Sequence, residues 1–210
     1  VVTFDFENVP ATAALALERQ VAVYPPPGAL AAAQDRVFEK TLFWEMGIPT
    51  PAFATVSSLE ELRGAVARVE LPAVLKTRRL GYDGKGQRIL RTPEDVGPAW
   101  RALSGAPLIL ESFVPFEREV SVLAARGRDG ATAFYPLVEN CHRDGILRLS
   151  RAPCLAPEAL EREGWDYARR LLDRLNYIGL LAIEFFVKEG RLIANEMAPR
   201  VHNSGHWTIE

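Results

Sequence analysis

The sequence predicts an α+β protein, and three stretches carry that expectation. Residues 52–105 read as strand, helix, glycine-rich hairpin and helix, a unit compact enough to swing over a ligand. Residues 108–125 read as two strands interrupted by a Pro-containing joint, and 131–140 and 145–154 as two strands that pair around an Asp144-Gly145 turn. Residues 158–197 join the longest predicted helix, 158–176, to two apolar strands, LLAIEFFV and LIANEM, each interrupted by acids.

At 210 residues the chain has room for one large domain or two small ones, and its 48% hydrophobic and 25% charged residues are those of an ordinary globular protein. No apolar run approaches the roughly 18 residues that cross a bilayer. No basic-then-apolar leader is present either, so no membrane association is expected. Cys141 and Cys154 have neither metal spacing nor a paired framework, which fits a reducing, cytoplasmic setting. The basic residues concentrate in one short loop instead of an extended face with stacking aromatics, which argues against nucleic acid as a partner.

The opening residues, VVTFDFENV, are strand-like. Pro10 to Arg19 reads as a helix capped by Thr12, and QVAVYP reads as a further strand closed by three prolines. This alternation resembles the end of an open βαβ sheet. Residues 29–46 are expected to form one helix with Leu30, Ala33, Val37, Lys40 and Trp44 near one face, stopped by Gly47. Arg36 falls mid-helix, where its plain reading is a surface ion pair with Glu39. Ser58 and Glu61 form a capping box for a helix through Val69. Thr92-Pro93, followed by two acids, opens another that ends before Ser104.

Between the strands LPAVL and RILR lies KTRRLGYDGKGQ, residues 76–87. Gly81, Gly84 and Gly86 permit positive φ and close backbone approach, so several N–H groups can turn toward one anion. From Lys76 to Arg91 six cations (Lys76, Arg78, Arg79, Lys85, Arg88, Arg91) face one anion, Asp83, a local charge of +5 in a chain of net charge −2. A phosphate chain would suit that concentration of charge. The order GxxGxG followed by a strand differs from the Walker loop and the dinucleotide fingerprint, which both open helices, so the cradle is a hairpin. An ordinary glycine hairpin with a solvated basic rim has the same signature.

Glu184 and Glu196 carry the second chemical signal. An unpaired carboxylate in an apolar strand costs several kcal/mol unless a cation or hydrogen bonds compensate. Taking Lys188-Glu189-Gly190 as a three-residue loop sets Val187 opposite Arg191, Glu184 opposite Ala194 and Glu196 opposite Ala182. The acids then project from one side as diagonal neighbours, roughly 7–8 Å apart at the backbone, with room for a divalent ion and Asn195 alongside. A two-residue loop would send them to opposite faces, and separate salt bridges to arginines are the other reading. Upstream, Glu111 ends an apolar run, and Glu117, Arg118 and Glu119 crowd a Pro-containing joint, where acids serve either an adenine and ribose or a solvated turn. Finally, MAPRVHNSGHWTIE places Arg200, His202, Asn203, Ser204 and His206 in one loop. His202 and His206 have helical spacing, but Pro199 and Gly205 oppose a helix and no third ligand is evident, so a small oxyanion suits the set better than zinc.

Taken together, a strand lysine, a glycine-rich hairpin, a carboxylate-bearing hinge and a two-acid strand pair resemble the ATP-grasp family. The strings GYDGKGQ, ESFVPFEREVS, FYPLVENCHRDGILR and NEMAPRVHNSGHWT cover most of the chain's motifs and resemble that family's carboxylating branch in purine biosynthesis. The last string separates it from biotin carboxylase, the D-alanine ligases and the formate-dependent transformylase. The resemblance implies an ATP-grasp fold, two α/β subdomains sandwiching a nucleotide. Residues 1–51 would end an N-terminal nucleotide-fold domain and form a linking helix, 52–107 the small lid subdomain and 108–210 the large subdomain.

The same resemblance implies ATP- and bicarbonate-dependent carboxylation of 5-aminoimidazole ribonucleotide through carboxyphosphate, with magnesium, or manganese in its place, in a cytoplasmic homodimer. By motif position, Arg36 and Lys76 would contact the ATP phosphates, and Gly81, Tyr82, Asp83, Gly84, Lys85, Gly86 and Gln87 would cover them. Glu111, Ser112, Phe113 and Val114 would line the adenine, Glu119 would take the ribose hydroxyls, and His142 would lie near the nucleotide. Glu184 and Glu196 would carry the metal with Asn195 beside them. Tyr82 and Asp83 would face the imidazole, Asp83 as base for the amine proton, and Arg200, His202 and Asn203 would cradle bicarbonate or carboxyphosphate. Members of that branch also carry a glycine-containing segment ahead of this sequence and a β-rich domain after HWTIE, so the chain is expected to be an internal piece. Other readings are a different ATP-grasp carboxylate–amine ligase, a module that binds Mg-ATP without turnover, and a zinc hydrolase on His202, His206 and Glu196.

Overall fold

The computed structural model describes residues 1–81 and 84–209, so the expectations for Tyr82 and Asp83 fall outside the described residues. Three helices open the chain: α1 (Ala11–Glu18), α2 (Pro27–Ala33) and α3 (Arg36–Glu45). The strands expected at 1–9 and 20–25 reduce to one parallel bridge, Val2↔Val23. Only two backbone bonds support it, Val2 N–H to Ala22 and Tyr24 N–H to Val2. Thr12 lies inside α1 and does not cap it.

The single helix expected over 29–46 is two. Asp35 leaves helical geometry and its carboxylate accepts the Val37 N–H at 3.0 Å, so the residue starts a new helix where continuation was expected. That break moves Arg36 from mid-helix to the first turn of α3. It also rotates the packed face: Lys40 is 1% exposed while Trp44 is 72% exposed.

Two antiparallel sheets follow. The smaller contains β1 (Phe53–Val56), β2 (Ala73–Thr77), β3 (Gln87–Leu90) and β4 (Leu108–Ser112) in the order β1-β4-β2-β3. Helices α4 (Leu59–Val69) and α5 (Val96–Leu103) cover one face, packing Leu62, Ala65 and Ala99 on Leu75, Leu90 and Leu110. Half of the expected capping box forms: Ser58 Oγ accepts from Glu61 N–H, but the Glu61 carboxylate accepts from Ser57 N–H, one residue ahead of the cap. Because β4 is an inner strand here, this layer runs to Ser112, past the boundary expected at 107.

The larger sheet contains β5 (Arg118–Arg126), β6 (Thr132–Phe134), β7 (Val138–Arg143), β8 (Ile146–Arg151), β9 (Gly179–Lys188) and β10 (Arg191–Ala198). Its order is β10-β9-β5-β7-β8, with β6 on β5. Period-two alternation divides β9: Leu181, Ile183, Phe185 and Val187 enter the core against α6 (Glu158–Arg174), which leaves Ala182, Glu184 and Phe186 on the opposite face.

The β9–β10 register departs from expectation twice. Lys188 pairs with Arg191 across a two-residue turn in which Glu189 and Gly190 both have positive φ, 52° and 71°. That alone would send the two acids to opposite faces. A bulge at Asn195 reverses it, because the pairs run Ala194↔Phe185 and then Glu196↔Glu184. The carboxylates are therefore direct cross-strand partners, and Glu196 faces Glu184 where Ala182 was expected.

Gly164 brings α6 close to the sheet: a Cβ there would lie 2.7 Å from Val122 Cγ2 and 3.3 Å from Leu192 Cδ1. Gly164→Ala is expected to destabilise the protein by about 1–3 kcal/mol, overpacking outweighing the gain in helix propensity. Thermal denaturation tests this, and an unchanged or raised Tm would show that α6 shifts freely.

Candidate nucleotide and metal site

Two cavities, of about 280 and 260 Å³, meet at Arg36, Gly81, His142, Gly145, Glu184 and Glu196, which line both. The first lies between the sheets. The small sheet contributes Val74, Lys76, Ile89 and Glu111, and the large sheet contributes Glu119 and Phe186. Ser112, Phe113 and Val114 line it at the joint between sheets, and Gly84, Lys85 and Gln87 line it from the hairpin. Phe116 stacks on Phe186 at 4.8 Å to form an apolar wall that the sequence reading missed. Gly86 faces away from the cavity, toward Thr77: with φ +71° and Thr77 Oγ1 2.7 Å from a would-be Cβ, it has no room for a side chain.

Lysines hold the buried acid of this cavity. Glu111 is 2% exposed, and its Oε2 lies 2.8 Å from Lys76 Nζ and 3.6 Å from Lys40 Nζ. Burial raises its pKa, but Lys40 and Lys76 together overcome that and hold it down to about 2. Its Oε1 is buried and has no hydrogen-bond partner among the described residues. Along the sequence Lys40 is one more residue on a helix face, and a lysine on that apolar face is the signal that it has an interior partner.

The basic loop is less uniformly a phosphate cradle than its charge predicts. Asp35 accepts from Arg78 Nε (3.0 Å) and Nη2 (2.9 Å) and from Arg79 Nε (3.2 Å). These two guanidiniums anchor the loop to α3. Arg88 donates to the Gln87 carbonyl. Lys76, Lys85 and Arg36 are the cations that line the cavity. Arg36 reaches Glu196 at 3.6 Å, not Glu39, whose Oε1 accepts the Met197 N–H at 2.6 Å.

At the junction, burial and the facing Glu196 push the Glu184 carboxyl up to about 8. Asn195 offsets a little of that rise, and His202 Nε2 lies 3.3 Å from the Glu184 Oε1. Burial and then Arg200 lower His202 to about 4, so its imidazole is neutral, with Nδ1 bonded to Ser204 Oγ at 2.9 Å. The second cavity holds Arg200, His202 and Asn203, together with Glu7, which bonds the Arg200 guanidinium and was not singled out from sequence. His206 is exposed, and among the described residues no group of three or more His, Cys, Asp or Glu is arranged to hold a metal, which removes the zinc reading. Glu117 serves structure: it accepts the Glu189 N–H at 2.8 Å and secures the β9–β10 turn.

Residues 41–210 match the ATP-grasp domain, and residues 1–34 match the ribonucleotide synthetase preATP-grasp domain. The chain belongs to the ATP-grasp family. It is similar to N5-carboxyaminoimidazole ribonucleotide synthase of Pseudomonas aeruginosa, 57% identical over 209 residues that cover 100% of this chain and 58% of that protein. The crystal structure of N5-carboxyaminoimidazole ribonucleotide synthetase from Thermus thermophilus superposes with a TM-score of 0.94 at 56% identity, covering all of this chain and 57% of the other. An ADP complex of an N5-carboxyaminoimidazole ribonucleotide synthetase superposes at 0.95 with 40% identity, covering 100% and 56%. The chain thus spans a little over half the length of these relatives. No helix among the described residues is long and apolar enough to cross a membrane.

His142 Nδ1 contacts Glu119 Oε2, and that bond raises the histidine's pKa. The stabilisation is therefore complete below the ordinary value of 6.5 and is lost as pH climbs through the raised one. The Tm advantage of the wild type over His142→Gln is expected to shrink as pH rises from 6.5. A pH-independent difference would rule this contact out as its source.

Proposed function

We propose that this chain is the nucleotide-binding part of an ATP- and bicarbonate-dependent ligase that carboxylates 5-aminoimidazole ribonucleotide to 5-(carboxyamino)imidazole ribonucleotide, in de novo purine biosynthesis. One observation carries the reading: the facing Glu184 and Glu196 lie where a cation-lined cavity between two sheets meets a second cavity bearing Arg200, His202 and Asn203. A nucleotide in the first would present its terminal phosphate to an oxyanion in the second. The names of the similar proteins support the product, and the ADP complex among them supports the nucleotide.

The acid pair fits magnesium, or manganese in its place. Its donors are hard oxygens, and Glu184 pushed up to about 8 is a carboxylate short of positive charge beside it. Glu184 and Glu196 would hold the ion with Asn195 alongside, and the ion when bound neutralises phosphate charge. Lys76 and Arg36 bind the phosphates, and Gly81, Gly84, Lys85 and Gln87 cover them, with Gly86 packed behind on Thr77. Phe116, Phe186 and the Glu111–Val114 segment take the base, and Glu119 with His142 takes the ribose. Arg200, oriented by Glu7, holds bicarbonate with neutral His202 and Asn203. A bicarbonate oxygen attacks the γ-phosphorus, ADP departs, and the carboxyphosphate releases phosphate as the exocyclic amine captures its carbon. The amine proton passes to a base, for which Asp83 is the candidate. Positioning and charge neutralisation supply most of the acceleration in such phosphoryl transfer. The free thiols Cys141 and Cys154 support a cytoplasmic setting, and a homodimer rests on the family resemblance.

Phosphate release from ATP by the full-length protein is expected to require both bicarbonate and 5-aminoimidazole ribonucleotide. Glu196→Gln should lower it on the order of a hundredfold, the scale of losing one charge-stabilising group. Turnover at the wild-type level in that variant would remove the metal assignment. ATP binding without substrate-dependent release would favour a binding module instead.

A further inference from the structure

The bulge at Asn195 is what brings Glu196 opposite Glu184, and because β10 is also the edge strand of its sheet, its outward backbone groups and the carbonyl of the bulge residue need other partners when buried. Three residues around α3 provide them. Lys40 Nζ donates to the Asn195 carbonyl at 2.6 Å and the Ala194 carbonyl at 3.3 Å. Thr50 Oγ1 donates to the Ala194 carbonyl at 3.2 Å, and Glu39 accepts from Met197 N–H at 2.6 Å. Lys40 alone does more than complete the bulge, because the same ammonium faces Glu111 at 3.6 Å across the nucleotide cavity's wall.

A buried ammonium is an expensive way to satisfy two carbonyls. A threonine hydroxyl already bonds one of them, and a neutral donor would serve the other without the cost of taking a charge out of water. What a neutral donor would not do is hold the carboxylate of β4 and the bulge of β10 to one point, linking the two sheets that bound the cavity. The geometry points to Lys40 as a positioning residue for the carboxylate pair: it fixes the Asn195 bulge, keeps Glu196 in register with Glu184, and sets that pair against the nucleotide wall at Glu111. This rests on the metal reading proposed above and adds a residue that touches neither phosphate nor metal.

Mn2+ titration of the ADP-bound full-length protein, read by electron paramagnetic resonance well below every Tm, tests it. Lys40→Met is expected to weaken Mn2+ binding tenfold or more, the scale on which outer partners of metal ligands act. Gly164→Ala, destabilised on the α6 face of the sheet opposite the acids, is expected to bind Mn2+ within twofold of wild type, which separates positioning from general loss of stability. If Lys40→Met does not fold, Thr50→Val removes the second donor to the bulge and should weaken binding severalfold. Unchanged affinity in the folded Lys40→Met protein, or in Thr50→Val where that variant stands in, overturns the inference, provided Glu196→Gln weakens binding. Unchanged affinity in Glu196→Gln overturns the metal reading itself and this inference with it.

Discussion

A single ammonium group stands where the helix α3 meets both sheets. Lys40 is 1% exposed, and its charge is balanced by the Glu111 carboxylate from one sheet and two carbonyls from the other. Removing such a group from water costs several kcal/mol, so it persists only where partners converge on it from fixed directions. That requirement works in both directions. The ammonium needs the bulge and β4, and the bulge and the buried Glu111 need the ammonium. The cleft is thereby built around a polar point whose directional bonds oppose slippage of either sheet, as a non-directional apolar contact at the same place would not.

Charge placement around the hairpin follows the same logic at lower cost. Arg78 and Arg79 are held by Asp35, the residue that also breaks the N-terminal helical run and begins α3. One aspartate therefore terminates a helix, caps its successor and ties down the base of the glycine-rich loop. The cations left lining the cavity, Lys76, Lys85 and Arg36, come from a strand, the loop and the start of that helix. Gly84 approaches the β7–β8 turn closely, with a would-be Cβ 3.3 Å from Gly145, so the loop closes against the large sheet across the cavity.

Much of this was visible in the residues. The Ser58 cap, the hairpin between β2 and β3, the long helix α6 and the apolar run of β9 are local patterns, and local patterns survive into the structure because they depend on neighbours a few residues away. The acids at 184 and 196 were legible as neighbours on one face for the same reason that their register was not. An acid in an apolar strand reports that something compensates it. Which residue faces it depends on turn length and on any bulge, and two errors there, a loop one residue too long and an overlooked bulge, nearly cancelled. A trace of the bulge was present: the core residues of β10 run Leu192, Ala194 and then Met197, a change of parity that no regular strand makes.

By itself the sequence determined the α+β class, most of the strands and helices between residues 52 and 198, the glycine hairpin and the identity of the carboxylates, because each depends on periodicity, capping or the cost of burying charge; it did not divide 131–140 into β6 and β7 or find the 3-10 turn at Asn203–Ile209. Tertiary structure decided what those residues face. What Lys40 and Glu39 face is set only when the β10 edge is laid against α3 from over 150 residues away. Contacts of that separation leave no periodic trace along the chain, so the partners of a buried charge are settled only when the two sheets close.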